Sequence, residues 1–126
     1  MNKQAFLSFI ILCGITVTLG AQTTAYRLEN PFLVRTLEVN NGVLATQSIY
    51  NKLSGKMLTP LSCEEFALRI SEGTDKEGTG RILTAKDFTV LSVSDYALMS
   101  NKKGHGYRFV LNNKKEELSV TISYEL

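Results

Sequence analysis

Beyond residue 31, apolar and polar side chains alternate with a period of two along most of the chain. "FLVRTLEV" (residues 32–39) and "VLATQSIY" (residues 43–50) flank Asn40, Asn41 and Gly42. Asn-Gly between two such runs predicts a β-hairpin, because both residues accept the positive φ of a type I′ turn. "NKLSGKML" follows, with a second turn at Ser54-Gly55 and a short strand expected near Met57 and Leu58. Pro60 then interrupts regular pairing. "EEFALRIS" alternates again, with Phe66, Leu68 and Ile70 on one face.

Residues 72–81, "EGTDKEGTGR", hold three glycines and five charges and predict an exposed loop. Residues 87–100 supply one or two strands, "YRFVLNN" another, and "LSVTISYEL" (residues 118–126) a last one. In that last segment Leu118, Val120, Ile122 and Tyr124 alternate with Ser119, Thr121, Ser123 and Glu125. It should therefore pair inside the domain, with Tyr124 packed on a facing sheet. "TTAYRLENP" (residues 23–31) is a polar leader, and "LTAKDF" (residues 83–88) has room for one helical turn at most. No segment sustains a 3.6-residue period over three turns. The expected fold is all-β, an antiparallel β-sandwich of about seven to eight strands.

The first 21 residues follow a different rule. Lys3 precedes an apolar run from Ala5 to about Leu19, and small Gly20 and Ala21 come before polar Gln22. This is the layout of a secretory signal peptide. The apolar run is short for the ~20 residues that cross a bilayer, and Thr16, Thr18 and glycines dilute it. Cleavage is expected after Ala21, with Gly20 as the next choice. That leaves residues 22–126 as one β-sandwich domain, secreted or periplasmic, without a stable membrane anchor. Cys13 would leave with the signal. A lipid-modified Cys13 does not fit, because Leu12 stands where a small residue is expected. Cys63 then remains alone, without a disulfide framework, and reads as a half-buried thiol rather than a nucleophile.

Charge narrows the partners. The chain carries 14 basic and 12 acidic side chains. Without Lys3 the domain has 13 against 12, a net charge near +1, too balanced for nucleic-acid binding. Candidate chemistry is sparse. His105, the single histidine, sits between two glycines and reads as a solvated turn residue. One histidine and one cysteine cannot build a zinc site, and the loop glycines lack the spacing of a phosphate loop. Neither a metal nor another cofactor is therefore expected.

The carboxylates occur as Glu64-Glu65, Asp75 and Glu77, Asp87, Asp95, and Glu116-Glu117. Neighbours along a strand point to opposite faces, so the adjacent pairs make poor catalytic dyads, and solubility explains them better. A cross-strand pair is not excluded by sequence. Lys102, Lys103, Lys114 and Lys115 read as turn charges, an anionic-glycan patch being the sharper alternative. The chain has no Trp, six Phe and five Tyr. Phe66, Phe88, Tyr107, Phe109 and Tyr124 occupy alternating positions and read as core. Tyr50 and Tyr96 lie near strand ends and are the candidates for stacking on a glycan.

The order of these pieces carries a resemblance. "YRLENPFLVRTLEVNNGVLATQSIYNKLSGKML" leads to "EEFALRI", then "LTAKDFTVLSV", then "ELSVTISYEL". This resembles the N-terminal β-sandwich of secreted α-galactosidase (melibiase)-type glycoside hydrolases. Asn51-Lys52 with Ser54-Gly55 corresponds to that family's Asn-Lys-x-Thr/Ser-Gly turn. Glu64-Glu65-Phe66, Asp87-Phe88 and Tyr124-Glu125-Leu126 match later pieces, so the likeness runs from about Tyr26 to Leu126. The motifs are short turn and strand signatures.

In that family the sandwich precedes a (β/α)8 barrel that carries the catalytic carboxylates. No such region is present in the 126 residues, so no catalytic residue carries over. The resemblance implies an accessory domain, or a fragment of a longer enzyme, whose partner is the barrel and which is not itself active. A docking role of this kind predicts an exposed apolar patch. The alternative is a stand-alone secreted carbohydrate-binding or adhesion module, which the missing Trp disfavours. A small active hydrolase is weaker still, because no nucleophile–base constellation is evident.

Overall fold

The computed structural model describes residues 22–61, 64–71, 80–97 and 105–126. The signal-peptide segment, Cys63 and most of the charged loop lie outside them. The fold is all-β, with nine antiparallel strands in three sheets among the described residues. Strands β1 (Thr23–Glu29), β2 (Leu33–Asn40), β3 (Val43–Asn51) and β4 (Lys56–Leu58) form one sheet in that order. β5 (Ala67–Ile70) and β6 (Arg81–Thr84) make a two-stranded ribbon. β7 (Thr89–Ala97), β8 (His105–Asn113) and β9 (Leu118–Glu125) form the third sheet. One 3-10 turn, Ala85–Asp87, joins β6 to β7.

The four- and three-stranded sheets meet through aromatic rings. Tyr26 on β1 stands edge-on to Tyr107 and Phe109 of β8, at centroid distances of 5.3 and 5.2 Å. Around these rings lie fully buried Leu28, Leu37, Leu44, Phe88, Phe109 and Leu111. Each such side chain stabilises the fold by roughly 1.5–3 kcal/mol through the apolar area it removes from water. The ribbon adds Leu83 to the core, with Leu68 and Ile70 packed against it.

Two of the nine strands had no expectation from the sequence. β1 falls in the polar leader, where only Tyr26 and Leu28 face inward and Thr23, Thr24, Ala25, Arg27 and Glu29 are exposed. Two inward residues are too few to raise a period-two signal. β6 follows the glycine-rich loop, and its adjacent Ile82 and Leu83 are exposed and buried respectively. Its two apolar residues are adjacent rather than alternating, so no period-two pattern registers.

The last strand pairs with β8 along its whole length, from Asn113↔Leu118 to Gly106↔Glu125. Tyr124 lies edge-on to Phe109 at 5.7 Å, as its inward position requires. β9 is also tied to the ribbon near both of its ends. Tyr124 bonds to Glu65, just before β5, and Glu116, just before β9, pairs with Arg81 at the start of β6.

The Asn41-Gly42 turn forms as the sequence predicts, with φ of 49° and 81°. It also joins the two larger sheets, because the Gly42 carbonyl accepts the Val90 N–H at 2.8 Å. A Cβ on Gly42 would sit 2.8 Å from Thr89 Cγ2 and would need a left-handed backbone. Gly42→Ala should therefore destabilise the domain by about 1–3 kcal/mol. Urea unfolding checks this, and an unchanged midpoint would refute the close packing of the turn on β7.

Candidate functional site

Four polar side chains from distant parts of the chain meet inside the domain. Arg35 on β2 donates from Nη2 to Thr46 Oγ1 on β3 at 2.6 Å and to Glu65 Oε2 at 2.8 Å. Its Nε also reaches Thr46 Oγ1, at 3.1 Å. The Tyr124 hydroxyl donates to the same Glu65 Oε2 at 2.5 Å, and the Arg35 guanidinium lies 4.7 Å from the centre of the Tyr124 ring. The Glu65 side chain is 1% exposed and that of Arg35 27%. A carboxylate so buried is tolerated only with a charge partner and hydrogen bonds beside it, and both are present.

Register explains how Arg35 reaches inward. It pairs with Leu28 and shares an inward-facing row with Leu37 and Val39. A bulge in the β2–β3 pairing between Thr36 and Leu37 re-aims the β3 residues, with buried Thr46 opposite Leu37. Glu64 and Glu65 diverge, as neighbours in an extended chain must. Exposed Glu64 lies 3.9 Å from Lys86, while Glu65 enters the interior. The expectation that both acids serve solubility is corrected for Glu65.

A tyrosine, a carboxylate and an arginine in contact have the elements of a nucleophile–base pair. Here the acid is sealed from solvent, so its chemistry in this arrangement is that of an internal clamp. Nothing local in the sequence signals it, because Glu65 is separated by 30 positions from Arg35 and 59 from Tyr124.

The other sequence candidates are scattered. Exposed His105 opens β8 rather than lying in a turn. Its Nε2 is 3.6 Å from Asp95, and its ring stands edge-on to Tyr107. Tyr50 is half-buried on β3 with Val34 and Met57 as cross-strand partners, so the two residues facing it directly are both apolar. Tyr96 lies on β7 opposite Gly106, and its side chain is outside the described residues. Tyr50 and Tyr96 thus belong to different sheets and do not form one platform. Lys114 and Lys115 are exposed in the β8–β9 turn, and Lys102 and Lys103 lie outside the described residues. Among the described residues, no three His, Cys, Asp or Glu side chains gather as a metal site, and no helix is long and apolar enough to cross a membrane.

The turn after β3 is organised by side chains. Asn51 Oδ1 accepts the N–H groups of Leu53 and Ser54, at 2.9 and 3.1 Å, and Gly55 takes a φ of 65°. Lys52 reaches back to β1, donating to Glu29 Oε1 at 2.5 Å and to the Asn30 carbonyl at 2.7 Å. Phe32, Leu53, Met57, Leu58 and Leu61 are all exposed in this part of the chain, Leu53 at 78% and Met57 at 65%. The Lys52 N–H bonds to the Phe32 carbonyl, and Asn51 pairs with both Leu33 and Lys56, so the turn, the start of β4 and the approach to β2 lie at one end of the four-stranded sheet.

A shallow cleft of about 300 Å³ opens on the three-stranded sheet, lined by Asp87, Thr89, Leu91, Asn112, Asn113 and Lys114. Comparison with protein-family models, with curated proteins and with solved structures returns no match.

Two outcomes follow from this geometry. Glu65→Ala should lower stability by about 3 kcal/mol, because it leaves Arg35 and the Tyr124 hydroxyl without their shared acceptor. Glu65→Gln, which keeps an acceptor but no charge, should cost less. If both variants unfold within about 0.5 kcal/mol of the parent in urea, the clamp contributes nothing.

The Glu29 carboxyl titrates below its ordinary range, chiefly through the Lys52 hydrogen bond and then through Arg27. A lowered folded-state value means that the contribution of this contact is present above the ordinary carboxylate range and fades as pH falls through the lowered value. A carbon-detected NMR titration of Glu29 should show this depression, and Lys52→Met should return the titration towards the ordinary range. An unmoved midpoint in the variant would discount the contact.

Proposed function

We propose that this chain is a non-catalytic β-sandwich domain that acts by docking. The partner we assign is the (β/α)8 barrel of a secreted α-galactosidase-type glycoside hydrolase, as the order of turn and strand motifs implies. The observation that carries a docking role is the set of exposed apolar side chains on β4, in the turn before it and just ahead of β2. Phe32, Leu53, Met57, Leu58 and Leu61 are large, apolar and open to solvent within a span of thirty residues. Large apolar side chains left open to solvent in such number are a feature of surfaces that meet another protein. Four of the acids are engaged by basic partners, which supports the non-catalytic part of the reading. Glu65 is sealed, Glu64 faces Lys86, Glu29 is held by Lys52 and Arg27, and Glu116 is engaged by Arg81.

Carbohydrate binding by a stand-alone module is the second reading, and half-buried Tyr50 beside Met57 is the feature that favours it. The two readings separate on the protein recovered from its native source. Under the docking reading, intact-mass and size analysis should find this sequence bound to, or continuous with, a barrel-bearing glycoside hydrolase. Met57→Lys with Leu58→Lys should release a non-covalent partner without unfolding the domain. A free chain that binds a defined oligosaccharide on a glycan array through Tyr50 would replace docking with the second reading.

A further inference from the structure

The cleft on the three-stranded sheet shares no residue with the exposed apolar set or with the Glu65 clamp, and the proposed docking does not use it. Three local features shape it. A bulge between Val90 and Ser92 leaves Leu91 as the extra residue of β7, and its side chain is 60% exposed. Bulges re-aim side chains in this way and are common beside binding sites. Thr89 and Asn112 face each other across β7 and β8, and alternation turns them away from the core side occupied by Leu111. The lining also includes one acid, Asp87, and one base, Lys114.

The polar groups differ in their commitments. Asp87 is oriented by the 3-10 turn, its Oδ2 accepting the Thr84 N–H at 2.7 Å. Asn113 is 7% exposed, and its Oδ1 accepts the Glu116 N–H at 3.1 Å. These two bonds set the walls in place before any ligand arrives, which lowers the ordering cost of binding. The Thr89 hydroxyl, the Asn112 amide and the Lys114 ammonium have no hydrogen-bond partner among the described residues. They offer donors and acceptors together, next to the one apolar surface of Leu91.

We propose that this cleft binds a neutral polyhydroxylated ring, the size of one pyranose. Opposite charges at Asp87 and Lys114 leave the site without net charge, which disfavours strongly ionic ligands. A volume near 300 Å³ is at the lower limit of small-molecule sites and suits a single ring. A pyranose offers what the lining complements: hydroxyl groups that both donate and accept, and a C–H face for Leu91. Without an aromatic platform the affinity is low, with a dissociation constant on the order of 1–10 mM.

The test is an amide-detected NMR titration of the ¹⁵N-labelled chain with galactose, glucose, mannose, glucuronate and glucosamine. Saturable shifts at Thr89, Leu91 and Asn112 are expected with at least one neutral sugar. The matching acid and amine should bind no more tightly. Asn112→Ala and Leu91→Ser, both on the outer surface, should each weaken the titration about 2- to 10-fold, the loss of one modest contact. Circular dichroism establishes that each variant remains folded. No saturable shift with any neutral sugar, shifts confined to Tyr50 and its neighbours, or variants that titrate like the parent would overturn the proposal. The docking reading stands or falls on its own partner analysis, so the two failures are distinguishable.

Discussion

A single buried carboxylate sets a condition that much of the domain satisfies. Glu65 sits just ahead of β5, and its charge is answered by Arg35 from the four-stranded sheet and by the Tyr124 hydroxyl from the three-stranded sheet. Thr46, on β3, accepts the remaining guanidinium contacts. Leaving any of these groups unpaired in a low-dielectric interior costs more than the pair contributes when intact. The clamp therefore acts less as a source of net stability than as a constraint on arrangement. Sheets, ribbon and final strand must adopt one relative placement for the acid to be neutralised.

The rest of the architecture is consistent with that placement. Arg35 and Leu37 face inward by alternation along β2, and the β2–β3 bulge sets Thr46 opposite Leu37, within reach of the guanidinium. The ribbon contributes Leu83 to the core and is tied near both ends of β9, through Tyr124 and Glu116. At the other junction of the larger sheets, the Gly42 carbonyl holds the Val90 N–H. Aromatic edges fill the space between, with Tyr26 set against Tyr107 and Phe109. What remains exposed at the β4 edge is apolar material that this interior does not use.

Much of the fold could be read from alternation alone, because a strand covered on one face states its inward residues directly. β2, β3 and β9 were legible for that reason, and the hairpin at Asn41-Gly42 also from its turn residues. β1 was not, because its inward side holds only Tyr26 and Leu28 among exposed polar neighbours. β6 was hidden because its apolar residues, Ile82 and Leu83, are adjacent and do not alternate. The clamp was invisible for a different reason. Glu65 looks like any surface acid beside Glu64, and only tertiary register separates the two. The cleft depends on a bulge at Leu91, a one-residue irregularity inside an otherwise regular strand.

The separation of the clamp's members along the chain bears on the order in which the domain can form. Arg35 is translated 30 residues before Glu65, and Tyr124 follows 59 residues after it. Contacts so distant form late, since the chain entropy of closing long loops must be overcome before they contribute. A nascent chain that has emerged only through β8 can pair most of its strands, yet it holds an acid with half its intended company. Such a species would keep the ribbon side open to water until β9 arrives. The Tyr124 hydroxyl thus reaches Glu65 only once β9 has been made and paired with β8.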